Sequence, residues 1–358
     1  MAKQFHILFF LLILITSSRG QNAAPPQNEH YTTNTDYKDF IIIERQIWAL
    51  TIKGGLKVFD LKNGEPLEVA PRIDSPILAI AKDEDSTIAL AFNGKIASYN
   101  KSKKTWSYLG SYDDAPMGII FNSAKECFLI TSKGIQDLNS GKTFFPDSSL
   151  NHQINYRGRW FKSPTFYMDH DDNIWIGFGF GEWGGDLFIF DTKKRKFIVP
   201  NMGKYDIDLN PVKSIFSDDS IVYISTGVAH FGNSGSIVSL KHFLAEPLFT
   251  SSYGKGKDNT IVQGEYIGPA TFNRSDHCIY FYAQNGIFKG DPDKDISAIE
   301  QWEKVASPKL LWSNGQQDAV GSPMNVFKME FADSKTLVFV TQLNGLGIYN
   351  GETITLVK

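Results

Sequence analysis

The side chains best suited to chemistry gather in a few short stretches of the sequence. Tyr156, Arg157, Arg159 and Trp160 fall almost side by side, Glu182 precedes Trp183, His230 and Asn233 share one glycine-flanked turn, and Trp312 is followed closely by Asp318. Aromatic faces beside amides and carboxylates suit a sugar or a similar polar ring, and paired guanidinium groups suit a carboxylate or phosphate. These ten residues form the candidate ligand-binding set. The chemistry they predict is recognition of a small-molecule or glycan ligand, or of a protein partner.

Catalytic readings of the same residues are less complete, and none of them is assigned a catalytic role. Glu182 and Asp318 would act as a carboxylate pair on a glycan only if folding brought them within about 5 to 10 Å. His152 and His230 with Glu182 or Asp318 offer metal-ligand types, but the sequence has no HExxH and no closely spaced histidine pair, so neither a metal nor a cofactor is expected. Gly232-Asn233-Ser234-Gly235-Ser236 does not fit a nucleophile elbow. Gly177-Phe178-Gly179-Phe180-Gly181 leads into a turn and not into a helix, so it is no phosphate loop. The acidic run Asp169-His170-Asp171-Asp172-Asn173 lacks the spacing and distal glutamate of an EF-hand and reads as a solvated turn.

What must position these residues is a repeated unit. Seven segments, beginning at Ile47, Thr87, Cys127, Asn173, Ile221, Cys278 and Thr336, each consist of an apolar β-rich run, a turn with glycine in or beside it, and a second alternating run. That pattern is a hairpin. Taking the second apolar position as a ruler, Trp48, Ala89, Phe128, Trp175, Tyr223, Tyr280 and Val338 are spaced by 41, 39, 47, 48, 57 and 58 residues, lengths that suit a four-stranded blade. Pro76, Pro116, Pro164, Pro211, Pro269 and Pro323 each introduce a short apolar segment. Proline lacks an N–H and so belongs at a strand's first residue, an edge or a bulge. In the fourth unit the strands are expected at Thr165–Asp169, Ile174–Phe178, Asp186–Asp191 and Lys196–Val199. No sustained helical periodicity appears. The expectation is an all-β seven-bladed β-propeller over residues 38–358, with four antiparallel strands per blade.

Two of these units resemble a known repeat. Asp169 to Gly177 (DHDDNIWIG) followed by Gly184 to Asp191 (GGDLFIFD), and Ile47 to Leu50 followed by Gly54 to Asp60 (GGLKVFD), are similar to the repeats of two-component-regulator propellers, in which an acidic turn leads into Asn-Ile-Trp-Ile-Gly and then a Gly-Gly-Leu-x-x-Phe-Asp strand. The resemblance implies the propeller fold, with repeat residues that pack blades and carry no catalysis. In that family such repeats form periplasmic sensor domains fused to a membrane span and a histidine kinase. Neither is found in this sequence, so a stand-alone propeller is expected.

The remainder of the sequence bears on compartment. Lys3, the nine-residue apolar run Ile7 to Ile15, and Ser18-Arg19-Gly20 predict a signal peptide over residues 1–20, too short to span a bilayer. Residues 21–37, with adjacent prolines and few aliphatics, predict a flexible leader. A secreted or periplasmic monomer follows. The formal charge of −3, from 36 Lys+Arg and 39 Asp+Glu, argues against nucleic-acid binding. Cys127 and Cys278 occupy equivalent positions three blades apart and are expected to be buried free thiols. Asn100-Lys101-Ser102 and Asn273-Arg274-Ser275 match the glycosylation pattern.

The long connections locate the expected binding face. Turns between the first and second strands, and between the third and fourth, are short. On the opposite side the connections lengthen over Asp147–Ser163, Asn201–Asn210, Ser252–Gly268 and Pro308–Ser322, and within blades at Gly179–Gly184 and Gly227–Gly235. Long loops on a rigid scaffold are where binding concentrates. The reading is a binding module acting through the long-loop face of blades four to seven. The alternative is a lyase or hydrolase using that face.

Overall fold

The computed structural model describes residues 37–68, 73–83, 85, 87–100, 103–146, 164–229, 232–252, 254–255, 261–262, 264–310 and 326–357. Seven sheets of four antiparallel strands follow one another in chain order and form a ring. Their inner strands are Tyr37–Ile43, Ile77–Lys82, Pro116–Phe121, Thr165–Met168, Val212–Ser217, Ile267–Asn273 and Val326–Phe331. A further two-stranded hairpin, Gly254–Lys255 with Ile261–Val262, lies in the connection between blades five and six. No described helix is long and apolar enough to cross a membrane.

Five of the six proline marks land where the absence of an N–H is tolerated, and Pro323 lies outside the described residues. Pro76, Pro164 and Pro211 sit immediately before an inner strand, and Pro116 is the first residue of one. Pro269 lies inside its strand, where the register slips between Ile267 and Ala270. The same slip recurs near the start of the inner strand in blades one, two, three, five and seven. A bulge there adds twist as the chain enters the ring.

Every ruler residue lies in a second strand and is buried. Four have a polar tip; three are tied back to an acid in the first turn of their own blade, and Trp48 to Gln46, the first residue of its own strand. Trp175 Nε1 donates to Asp169 Oδ2 at 2.7 Å, Tyr223 OH to Asp218 Oδ2 at 2.7 Å, Tyr280 OH to Asp276 Oδ2 at 2.6 Å, and Trp48 Nε1 to Gln46 Oε1 at 3.0 Å. A buried Trp or Tyr needs a partner for that tip, and the repeat supplies one. In the fourth unit the strands run Thr165–Met168, Asn173–Gly179, Gly185–Asp191 and Lys196–Ile198, within about two residues of expectation.

Three sequence readings are corrected. The acidic turn is not merely solvated: Asp169 and Asp172 are buried, and Asp172 accepts from Ser123 N and Ser123 Oγ, both at 2.7 Å, which ties blade four to blade three. Both cysteines are free, but only Cys127 is buried while Cys278 is half-buried. Burial pushes the Cys127 thiol up to about 12 and that of Cys278 up to about 11. Asn273 is buried, donates from Nδ2 to Ser334 O at 3.0 Å and accepts from Ser275 N at 3.0 Å, so its amide is not presented for glycosylation.

The ring closes without exchange of a strand, because blade one and blade seven are each built from a single continuous stretch. Tyr37, Phe40, Ile47 and Phe59 of blade one pack against Val338, Leu346, Ile348 and Val357 of blade seven. Lys328 Nζ donates to Asp39 Oδ1 at 2.6 Å and to Phe40 O at 2.7 Å, while Lys82 Nζ reaches from blade two to Glu330 of blade seven at 3.0 Å. Burial opposes the Lys328 charge, but Asp39 and Glu330 outweigh it and hold the ammonium above the usual lysine range.

Candidate functional site

Two features stand on the long-loop face. The first is the turn Gly181–Trp183, a single 3-10 turn between the second and third strands of blade four. Phe180 closes it, donating from N to Gly184 O at 2.8 Å and stacking its ring on Phe178. Gly184 has φ +86°, and a Cβ there would collide with the carbonyl oxygen of Asp208. The turn is therefore packed directly on the connection Asn201–Asn210 that enters blade five. That connection is itself anchored: Tyr205 and Ile207 are buried, Tyr205 OH lies 2.6 Å from Thr226 Oγ1, and Asn201 N donates to Phe243 O. On this fixed base Trp183 is 61% exposed, Leu209 beside it is 70% exposed, and Glu182 is exposed next to the indole.

The second feature lies on the other side of blade five. Strands Val222–Ala229 and Asn233–Lys241 form a long hairpin, so the stretch Gly227–Gly235 is mostly ladder and not an open loop. At its tip Asn233 Nδ2 donates to Gln284 Oε1 at 3.0 Å, bridging to the matching turn of blade six. Asn233 Oδ1 is buried and accepts no hydrogen bond. Next to Gln284, Asn285 Nδ2 faces Glu265 Oε1 at 3.3 Å, and Glu265 N donates to Ser251 Oγ at 2.6 Å. Glu265, Gln284 and Asn285 were not among the candidate residues. They lie in a long connection and a glycine turn that composition alone does not distinguish from other polar loops.

Of the ten candidates, Glu182, Trp183 and Asn233 are described: the first two are adjacent on blade four, and Asn233 joins blade six. Tyr156, Arg157, Arg159, Trp160, His230, Trp312 and Asp318 lie outside the described residues. The carboxylate pair Glu182 and Asp318 therefore has no defined separation. The one described cluster with metal-ligand types is on the opposite face, where His277, Asp291 and Asp293 offer ligand atoms within 4.8 Å of one another. Lys294 already pairs with Asp291 at 2.9 Å there, and His277 Nε2 is 3.1 Å from Asp293 Oδ2.

Fold and surface together define a class: a seven-bladed β-propeller with tied short turns on one face and longer connections on the other. No family model and no curated protein matches the chain. Solved structures match it in fold. A computationally designed protein, Ika8, shares 12% identity over 91% of this chain and 86% of its own, with a TM-score of 0.52. U3-55K shares 11% identity over 86% and 89%, with a TM-score of 0.55. The tricorn protease shares 12% identity and a TM-score of 0.53, but 91% of this chain corresponds to only 34% of that one. At such identities the likeness shows the fold alone.

Proposed function

We propose that this protein is an exported binding module that recognises a small polar ligand, a glycan in the first instance, on the long-loop face of blades four to seven. The observation that carries the reading is the Trp183 indole, exposed on a turn whose backbone is fixed by Gly184, Asp208 and the anchored connection beneath it. A large exposed aromatic on a rigid base loses little entropy on stacking a ligand ring. Glu182 beside it supplies a hydrogen-bond acceptor for sugar hydroxyls. The adjoining apolar surface of Leu209 is compatible with a protein partner as the other occupant.

The test is a thermal-shift screen of the full chain against oligosaccharides, organic acids and divalent ions, with and without chelator. A ligand at a hundredfold excess over Kd adds about 2.7 kcal/mol of stability. The expected result is a shift with an oligosaccharide that is abolished in Trp183→Ala. A shift that survives this substitution places binding elsewhere, and no shift from any compound removes the small-ligand reading. Export is tested separately, by the N-terminal residue of the protein recovered from the exported fraction, which is expected to be Gln21.

A further inference from the structure

Glu265 contrasts with six aspartates of the protein. Asp172, Asp191, Asp218, Asp291, Asp295 and Asp333 are all held below the usual range by backbone N–H groups, hydroxyls or lysines. Glu265 is half-buried in the connection entering blade six, and among the described residues only one side chain hydrogen-bonds to its carboxylate: Asn285 Nδ2, at 3.3 and 3.5 Å. Among the described residues no lysine or arginine comes within ion-pair distance of it. Burial pushes its carboxyl above the ordinary glutamate range, and the Asn285 amide and the more distant Lys304 offset this only in part. Through Gln284 the same cluster continues to Asn233, whose buried Oδ1 accepts nothing. Among the described residues, adjoining turns of one face thus hold a half-buried carboxylate with no ion-pair partner, Lys304 acting on it only from beyond that distance, and an amide oxygen without a donor.

We propose that this cluster is a subsite for an ammonium group, so that the ligand of the long-loop face carries a protonated amine; this rests on the binding-module reading above. One carboxylate matches one positive charge. A calcium site gathers six to eight oxygen ligands, usually with several carboxylates among them, whereas Glu265 is the one carboxylate of this cluster. A neutral hydroxyl does not compensate the desolvation of a carboxylate as an N–H of an ammonium does. An ammonium has three diverging donors, and the acceptors here, Glu265 and Asn233, come from different elements.

Two measurements on the full chain test the assignment. Glu265→Gln keeps the shape and the amide contacts but removes the charge. Because ionised Glu265 is disfavoured in the folded state, its cost to stability is present at neutral pH and vanishes once pH falls below the ordinary glutamate value. Glu265→Gln is therefore expected to raise the unfolding midpoint by about 1 to 2 °C at neutral pH and not at about pH 4. Lys304 is the charged group facing the site, and Lys304→Gln is expected to enlarge that gain.

The second measurement is calorimetric titration at slightly acidic pH with a glucosamine trimer and with its N-acetylated counterpart. The amine form is expected to bind tighter, and Glu265→Gln to weaken it by about tenfold while changing the acetylated form by less than about twofold. A Glu265→Gln protein that is less stable at neutral pH makes the carboxylate structural and overturns the proposal. Equal affinity for the two trimers also overturns it, and leaves the binding-module reading standing if Trp183→Ala still abolishes binding. Binding of neither trimer removes the ammonium subsite and the glycan reading together.

Discussion

The two faces of the ring differ in how fully their polar side chains are committed to the backbone: on the long-loop face Asn201 and Asp206 cap Gly203 N and Asp208 N, but other acceptors there do not. On the short-turn face almost every turn opens with an Asp or Asn whose side chain caps the backbone that follows. Asp83 accepts from Thr87 N, Asn122 from Glu126 N, Asp218 from Ser220 N and Ile221 N, and Asp333 from Lys335 N and Thr336 N. After the third strands, Asp60, Asn100, Asp137, Asp191, Asp291 and Asn350 do the same. These are Asx turns, in which an acceptor next to a turn satisfies N–H groups the ladder leaves over. On the long-loop face, Glu265 and Asn233 Oδ1 satisfy no such donors. Polar groups committed to the backbone stabilise the fold, whereas groups left uncompensated are available to a ligand.

The largest test of that contrast is Asp169→Ala. Asp169 accepts from Asn173 N at 2.8 Å, Asn173 Nδ2 at 2.9 Å and Trp175 Nε1 at 2.7 Å, all buried, so removing it leaves several donors without partners. A loss of about 3 kcal/mol or more is expected in denaturant unfolding. Gly184→Ala comes next, at about 2 kcal/mol, because a side chain is disfavoured at φ +86° and meets Asp208 O. It should also weaken ligand binding by disturbing the Trp183 platform.

Asp172 sharpens the comparison through pH. Burial opposes its ionisation, but Ser123 and Lys193 overcome this and hold its pKa below the ordinary value. Its contribution is therefore fully present above the unfolded carboxylate pKa and is lost as pH falls through the lowered native one. Asp172→Asn should flatten the acid limb of a stability–pH curve, a change of about 1 kcal/mol near neutrality. Glu265 carries the opposite sign. The smallest stability effect belongs to Trp183→Ala, under about 0.5 kcal/mol in the same unfolding assay, although it should abolish binding.

Much of the fold was legible in the sequence because it rests on short-range signals: period-two alternation, turn glycines, and prolines at inner-strand starts. The aromatic ruler worked because Trp48, Trp175, Tyr223 and Tyr280 need both burial and a tied polar tip, which restricts them to one place in a blade. Asp169 and Asp172 were misread as solvated since sequence does not show whether a turn acid faces water or a neighbouring blade. Glu265 was missed for a related reason. Its character comes from burial and from the distance to the nearest cation, neither of which is encoded within a few residues of it. Glu182 and Trp183 stood out in the sequence because a carboxylate beside an indole in a glycine-rich turn is itself a local pattern, and both are exposed on that turn.

The manner of ring closure has a mechanical consequence. Between neighbouring blades elsewhere the polypeptide itself crosses the boundary, so separating them requires a sheet to lose a strand or a connection to stretch. Between blades seven and one only side chains cross among the described residues: the apolar cluster around Phe40 and Ile348, and Lys328, which reaches Asp39 and the Phe40 carbonyl. Under tension applied at the two ends of the chain, this boundary has no covalent strut. It should part first, opening the circle into a row of intact blades before any single blade unravels.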